Sequence, residues 1–164
     1  MPGSIFYKER PIITLQDRTN TAALANGSGL AAATADLDVR STGNAPDDMY
    51  AMFELLCRWA TITGIVFGSS AAELYLVPLL DGVNLPNVDL TVGASHMSPT
   101  SFVGTFIAAA APLANTDMRF SLGPVALSPV LYRAYIINRS GQTVTTTSGT
   151  SWQLRTVTYQ AQYT

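Results

Sequence analysis

The chain is 164 residues long, carries a net charge of −2, and has a charged fraction of 12%, about half the usual share for a soluble domain. One lysine, one histidine and one cysteine leave few of the groups that general acid–base, nucleophilic or metal chemistry requires, so the composition argues against an enzyme. Eight arginines scattered from Arg10 to Arg155 without a cluster, in an acidic chain, provide no electrostatic footprint for nucleic acid or an anionic membrane.

The length fits one domain with a proper core. Residues 1–10 hold Lys8, Glu9 and Arg10 and no apolar signal core, and no transmembrane stretch follows, so synthesis in a cytoplasm without secretion is expected. Residues 1–30 open with Pro2 and Gly3, pass a short apolar patch at Ile12, Ile13 and Leu15, and end in Ala-Asn-Gly-Ser-Gly. An extended N-terminal arm is expected there, ahead of a β-sandwich domain over residues 31–164, with an ordinary first strand and loop as the competing reading.

Residues 34–40 alternate, placing Ala35, Leu37 and Val39 on one face and Asp36, Asp38 and Arg40 on the other, the pattern of a half-buried strand. Residues 49–60 fit two templates. Met49, Met52, Phe53, Leu56 and Ala60 form a helical stripe, with Glu54 and Arg58 as an i, i+4 pair. In a strand, Phe53, Leu55, Cys57 and Trp59 share one face and Glu54 and Arg58 the other. The β-branched continuation at Thr61, Ile62, Thr63, Ile65 and Val66 favours the strand, with Gly64 as a bulge or bend.

Residues 73–80 form a short apolar run in which Pro78 predicts an edge position or an early end, followed by a turn at Asp81-Gly82. Residues 89–92 are a weaker strand candidate, and residues 95–100 a loop holding His96. Residues 102–111 are apolar up to Pro112, residues 117–122 alternate again, and residues 130–138 are aromatic and β-branched. Residues 139–147 have the composition of a hairpin. The terminal strand, residues 151–163, sets Trp152, Leu154, Thr156 and Thr158 against Gln153, Arg155, Val157 and Tyr159. Eight or so short strands and no firm helix predict an all-β sandwich or barrel.

Candidate chemistry is sparse. His96 has no second histidine or cysteine at ligand spacing, and the pairs Asp36/Asp38 and Asp47/Asp48 belong to no calcium loop, so solvated faces or a turn start account for them. No Gly-x-Ser-x-Gly elbow and no phosphate loop is present. Cys57, between Leu56 and Trp59, reads as a buried small apolar residue. The sequons at Asn26 and Asn138 read as turns. No catalytic residue, cofactor or metal site is expected. One alternative uses Trp59, Tyr75, Tyr132, Tyr135 and Trp152 as stacking platforms for sugar rings.

The segments Met49-Tyr-Ala-Met-Phe-Glu-Leu-Leu-Cys-Arg-Trp-Ala60, Ala72-Glu-Leu-Tyr-Leu-Val-Pro78 with Asp81-Gly82, and Leu131-Tyr-Arg-Ala-Tyr-Ile-Ile-Asn-Arg-Ser-Gly-Gln142 resemble small virion proteins of tailed bacteriophages. The resemblance implies a jelly-roll-like β-sandwich that decorates or cements the outside of a phage head, or sits in the tail, without catalytic residues. The partners it implies are the major capsid protein and further copies of the chain as a dimer or trimer, with no nucleic acid and no membrane. A carbohydrate- or receptor-binding module of a tail or fibre is the alternative. Within that reading Ile5, Phe6, Ile12, Ile13 and Leu15 are the expected partner-binding residues, packing on a neighbouring chain.

Overall fold

Two-residue alternation builds the molecule. The computed structural model describes residues 5–18, 23–59, 62–63, 68, 70–80, 101–108, 113–144 and 152–163. These form ten strands: β1 (Ile5–Glu9), β2 (Ile13–Gln16), β3 (Gly29–Ala31), β4 (Leu37–Asp38), β5 (Tyr50–Cys57), β6 (Ser70–Leu79), β7 (Phe102–Ile107), β8 (Met118–Ala126), β9 (Leu131–Asn138) and β10 (Gln153–Tyr163). All pairings are antiparallel.

The pairing is nested from the outside inwards. β1 and β2 pair with β10, β3 and β4 with β9, β5 with β8, and β6 with β7. Such a chain is one long antiparallel ribbon. Rolling it up brings β10 beside β5 and β9 beside β6, which yields two five-stranded sheets, one in the order β1-β10-β5-β8 and the other β3-β9-β6-β7. This is the jelly-roll arrangement of two packed sheets. The first will be called the terminal sheet and the second the inner sheet.

The core lies between them. The terminal sheet contributes Leu15, Phe53, Leu55, Cys57, Phe120 and Leu154, and the inner sheet Leu30, Leu37, Leu74, Leu76, Phe106 and Ile136. Trp59 and Trp152 are both 1% exposed, and Trp59 meets Phe120 edge-on at 5.8 Å between ring centroids, the geometry that the ring quadrupoles favour.

Residues 49–60 are a strand. Phe53, Leu55, Cys57 and Trp59 face inward as the strand template requires, and Glu54 finds its cation across the sheet rather than one helical turn along it: Arg155 of β10 and Arg119 of β8 flank it. β10 likewise buries Trp152, Leu154, Thr156 and Thr158 and turns Gln153, Arg155, Val157 and Tyr159 outward. Residues 34–40 keep the expected alternation, with Leu37 and Val39 buried, although only Leu37–Asp38 joins the ladder, opposite Tyr132 and Leu131 of β9.

Three expectations are corrected. The first concerns the arm. Ile5–Glu9 and Ile13–Gln16 are successive parts of one interrupted edge strand along β10, broken at Pro11, which has no N–H to give the ladder. A strand as long as β10 needs a neighbour on the side away from β5, and Leu15, 0% exposed, completes the core there. Residues 5–18 therefore belong to the sandwich.

The second concerns residues 139–147. No hairpin joins β9 to β10, because the two strands lie in different sheets. The chain crosses between them instead, and Val144 makes isolated bridges to Leu24 and Trp59. Residues 145–150 lie outside the described residues. The third concerns β6, which is central, between β9 and β7. Its ladder with β7 ends at Tyr75↔Phe102, so Pro78, opposite Tyr132 of β9, stands where only one neighbour needs a donor. The turn at Asp81-Gly82, residues 89–92, Gly64 and His96 lie outside the described residues.

Two glycines are required by their surroundings. Gly29 of β3 runs against the Tyr135 ring, where a Cβ would overlap the ring atoms. Gly123 has φ of 132°, and a Cβ there would meet the Ala51 carbonyl oxygen at 2.9 Å, beside the register shift between Ala51 and Phe53.

Candidate interaction surface

Charge on this molecule is spent internally. Each of the eight arginines has a carboxylate within ion-pair distance: Arg10 with Asp48, Arg18 and Arg58 with Asp117, Arg40 with Asp38, Arg119 and Arg155 with Glu54, Arg133 with Asp36, and Arg139 with Glu73. Several are two-pronged, as the planar guanidinium permits. Arg18 reaches both oxygens of Asp117 at 2.9 and 2.7 Å, and Arg133 both oxygens of Asp36 at 2.9 and 2.8 Å.

The acidic pairs thus have structural work. Arg40 holds the Asp38 carboxyl below the usual carboxylate range, and Arg18, with Arg58 behind it, does the same to Asp117. Asp48 departs from the expected solvated face: its side chain is fully enclosed. It accepts from Arg10 Nε at 3.2 Å and from the Thr158 hydroxyl, while Arg10 also donates to the Pro46 carbonyl and to Gln160 Oε1, each at 3.2 Å. Asp36 and Asp38 lie half-buried beside their arginines. Burial of Cys57 pushes its thiol far up, and the side chain is 1% exposed.

The sequon residue Asn26 sits in a turn, where its Oδ1 accepts from the Gly141 amide at 2.8 Å. Asn138 is instead fully buried at the end of β9. Its amide donates to the carbonyls of Leu24 and Gln142, and its oxygen accepts from the amide and hydroxyl of Ser140. Ser140 in turn accepts from Trp59 Nε1 at 3.0 Å. This network holds the corner where the chain leaves the inner sheet.

The five expected partner-binding residues separate. Ile5 and Phe6 stand in β1 opposite Tyr163 and Gln162. Ile12, beside the break at Pro11, is 58% exposed, Ile13 is half-buried against the core, and Leu15 is enclosed within it. Leu15 and Ile13 are thereby corrected: they stabilise this chain's own sandwich and are not offered to a neighbour.

The aromatic platform is also redistributed. Trp59, Trp152 and Tyr135 are at most 1% exposed and Tyr75 is 9% exposed, and Tyr132 is half-buried, its hydroxyl accepting from the Ser128 amide at 3.0 Å. The outward aromatics of the terminal sheet are Tyr50 and Tyr159, which β5 and β10 place directly opposite each other. Sequence reasoning passed over them, because only the register joins residues so distant along the chain. The signal for Tyr159 was the outward set of the β10 alternation.

Two apolar areas reach solvent. On the outer face of the terminal sheet, Ile12, Met52, Val157, Tyr159, Tyr50 and Pro124 line adjoining shallow depressions around the Glu54–Arg155 pair. On the opposite edge of the fold, β7 reads Phe-Val-Gly-Thr-Phe-Ile without a charge, and its Phe102 and Ile107 are 48% and 53% exposed. Among the described residues, no helix is long and apolar enough to cross a membrane, and no group of three or more His, Cys, Asp and Glu side chains could hold a metal ion.

No family model, curated protein or solved structure matches this chain. Its functional reading rests on the fold and on these surfaces.

Proposed function

We propose that this chain is a non-enzymatic virion structural protein, a decoration or cement subunit that binds the outside of a phage head and stabilises it. The observation that carries the reading is a jelly-roll sandwich whose arginines are all neutralised within the chain, leaving apolar and neutral polar surface for a partner. Covering such surface avoids the desolvation of unpaired ions, the term that most often defeats burial of charged faces.

The uncharged β7 edge, with Phe102 and Ile107 exposed, is the contact this reading assigns to the major capsid protein. An edge strand without lysine, proline or an inward charge invites pairing with another chain. Several copies on one shell then combine modest contacts through high effective concentration.

The test is binding to purified heads that lack the protein. Wild-type chain is expected to co-sediment with heads and to raise the temperature at which they release DNA, and a Phe102→Lys, Ile107→Lys double variant of unchanged thermal stability is expected to lose occupancy at least tenfold. Equal occupancy by the variant sinks the β7 assignment, and absence of wild-type binding sinks the cement reading. A second reading, a carbohydrate- or receptor-binding module, is favoured by one observation, the outward Tyr50 and Tyr159 pair. A glycan array discriminates, since a cement subunit is silent on it.

A further inference from the structure

β10 outruns its sheet. Its ladder with β5 ends at Tyr159↔Tyr50, whereas its ladder with β1 runs on from Glu9↔Tyr159 to Ile5↔Tyr163. Beyond Tyr159, β1 and the end of β10 form a two-stranded ribbon, with no third strand on either edge among the described residues. A ribbon of two strands is marginal in water on its own, and each of its edges has backbone donors and acceptors to satisfy.

The two edges differ in chemistry. The β1 edge carries Lys8 and Glu9, the charges with which natural proteins blunt an open strand. The β10 edge, Gln160-Ala161-Gln162-Tyr163, carries neither charge nor proline. By register, Tyr7 stands opposite Ala161 and Ile5 opposite Tyr163, which puts these four on the same face of the ribbon as Tyr159. That face continues the apolar outer surface of the terminal sheet formed by Ile12, Tyr50, Met52, Pro124 and Val157.

We propose that this continuous face, from the depression around Met52 to the ribbon, is a two-fold interface between copies of this chain, with the β10 edges of two ribbons pairing antiparallel. Charge and area argue for a second copy as the occupant. The ionic groups that border the depression, Glu54, Arg119 and Arg155, neutralise one another, so apposing the face with its own image brings no unpaired like charges together, as a self-complementary interface requires. Eleven residues of β10 across three neighbouring strands span a footprint of roughly 600 Å² at usual strand spacings. Two such footprints bury about 1,200 Å², the lower bound for a specific association of moderate affinity.

The interface stands independently of the phage-head reading and leaves β7 free in both copies. Sedimentation velocity of the full chain from about 1 to about 200 µM, the range where a contact of this size dissociates, is expected to show a monomer–dimer equilibrium. Met52→Lys and Tyr159→Lys, at half-exposed positions, each place a cation against its symmetry mate and are expected to weaken dimerisation at least tenfold with unchanged thermal unfolding. Gln162→Cys is expected to give a disulfide-linked dimer under mild oxidation, since Cys57 is buried, and this readout decides the matter should the lysine variants misfold. A wild-type monomer at the highest concentration, a trimer, or a dimer indifferent to both lysine variants that fails to cross-link overturns the proposal. So does a glycan bound at Tyr50 and Tyr159 of a chain that stays monomeric.

Discussion

Arg10 and Asp48 meet across 38 positions of sequence in an ion pair of 3.2 Å whose carboxylate is fully enclosed and whose guanidinium is about a quarter exposed. The pair clips the junction between β1 and β2 to the turn before β5, and the same guanidinium reaches Gln160 at the root of the ribbon. The two ends of the pair differ in exposure, so their removal is expected to be unequal.

Arg10→Ala leaves a buried carboxylate with only the Thr158 hydroxyl and is expected to cost about 3 kcal/mol, whereas Asp48→Ala leaves a guanidinium that can turn to water and is expected to cost about 2 kcal/mol. The double variant is expected to cost less than the sum. Urea unfolding of the four proteins checks the order. Equal losses for the two single variants contradict it.

Leu15 and Ile12 are three residues apart and face opposite fates. Leu15→Ala opens a cavity in the core and is expected to lower stability by about 3 kcal/mol, while Ile12→Ala, at an exposed position, is expected to stay within about 0.5 kcal/mol of wild type. Chemical denaturation of both variants measures the contrast. A harmless Leu15→Ala would mean that the first strands detach in solution.

Asn138 satisfies two carbonyls, one amide and one hydroxyl at a buried corner. Asn138→Ala strands several of these groups at once, and a loss of about 3 kcal/mol is expected, above the usual cost of a single unmade bond. Ser140→Ala removes the acceptor of Trp59 Nε1 and is expected to cost about 1–2 kcal/mol. Thermal unfolding with near-ultraviolet dichroism from Trp59 reports both.

Asp117 gives the molecule an acid-sensitive joint at the end of the terminal sheet. Arg18 and Arg58 depress its pKa in the folded state, so its stabilisation is complete above the unfolded value near 3.9 and is lost as pH falls through the lower folded value. Asp117→Asn is therefore expected to be destabilised by a constant amount from about pH 7 down to about pH 5 and to converge on wild type below about pH 4. Denaturant midpoints across that range test it, and a gap that widens in acid contradicts it.

Alternation in the sequence located the faces of β5 and β10 because each is long enough for inward and outward sets to separate, and the Glu54 environment shows why the helical alternative for residues 49–60 fails. Glu54 has Arg119 and Arg155 as partners, while Arg58, its would-be helical neighbour, binds Asp117. The short alternation at Ile13 and Leu15 could not reveal its host, since a four-residue strand is equally suited to its own sheet or another chain's. The aromatics behaved similarly. Trp59, Tyr135 and Trp152 differ from Tyr50 and Tyr159 only in which side of a sheet they fall on.

Composition and two-residue periodicity by themselves determined an all-β sandwich of short strands with a sparsely charged surface, because backbone pleat and hydrophobic burial are local in origin. The tertiary structure decided the rest: the jelly-roll nesting, the capture of the N-terminal strands along β10, the neutralisation of every arginine, and the meeting of Tyr50 with Tyr159. Each depends on register between segments tens to more than a hundred residues apart. Such register is fixed by how the whole ribbon rolls to bury one core, and no window of sequence contains it.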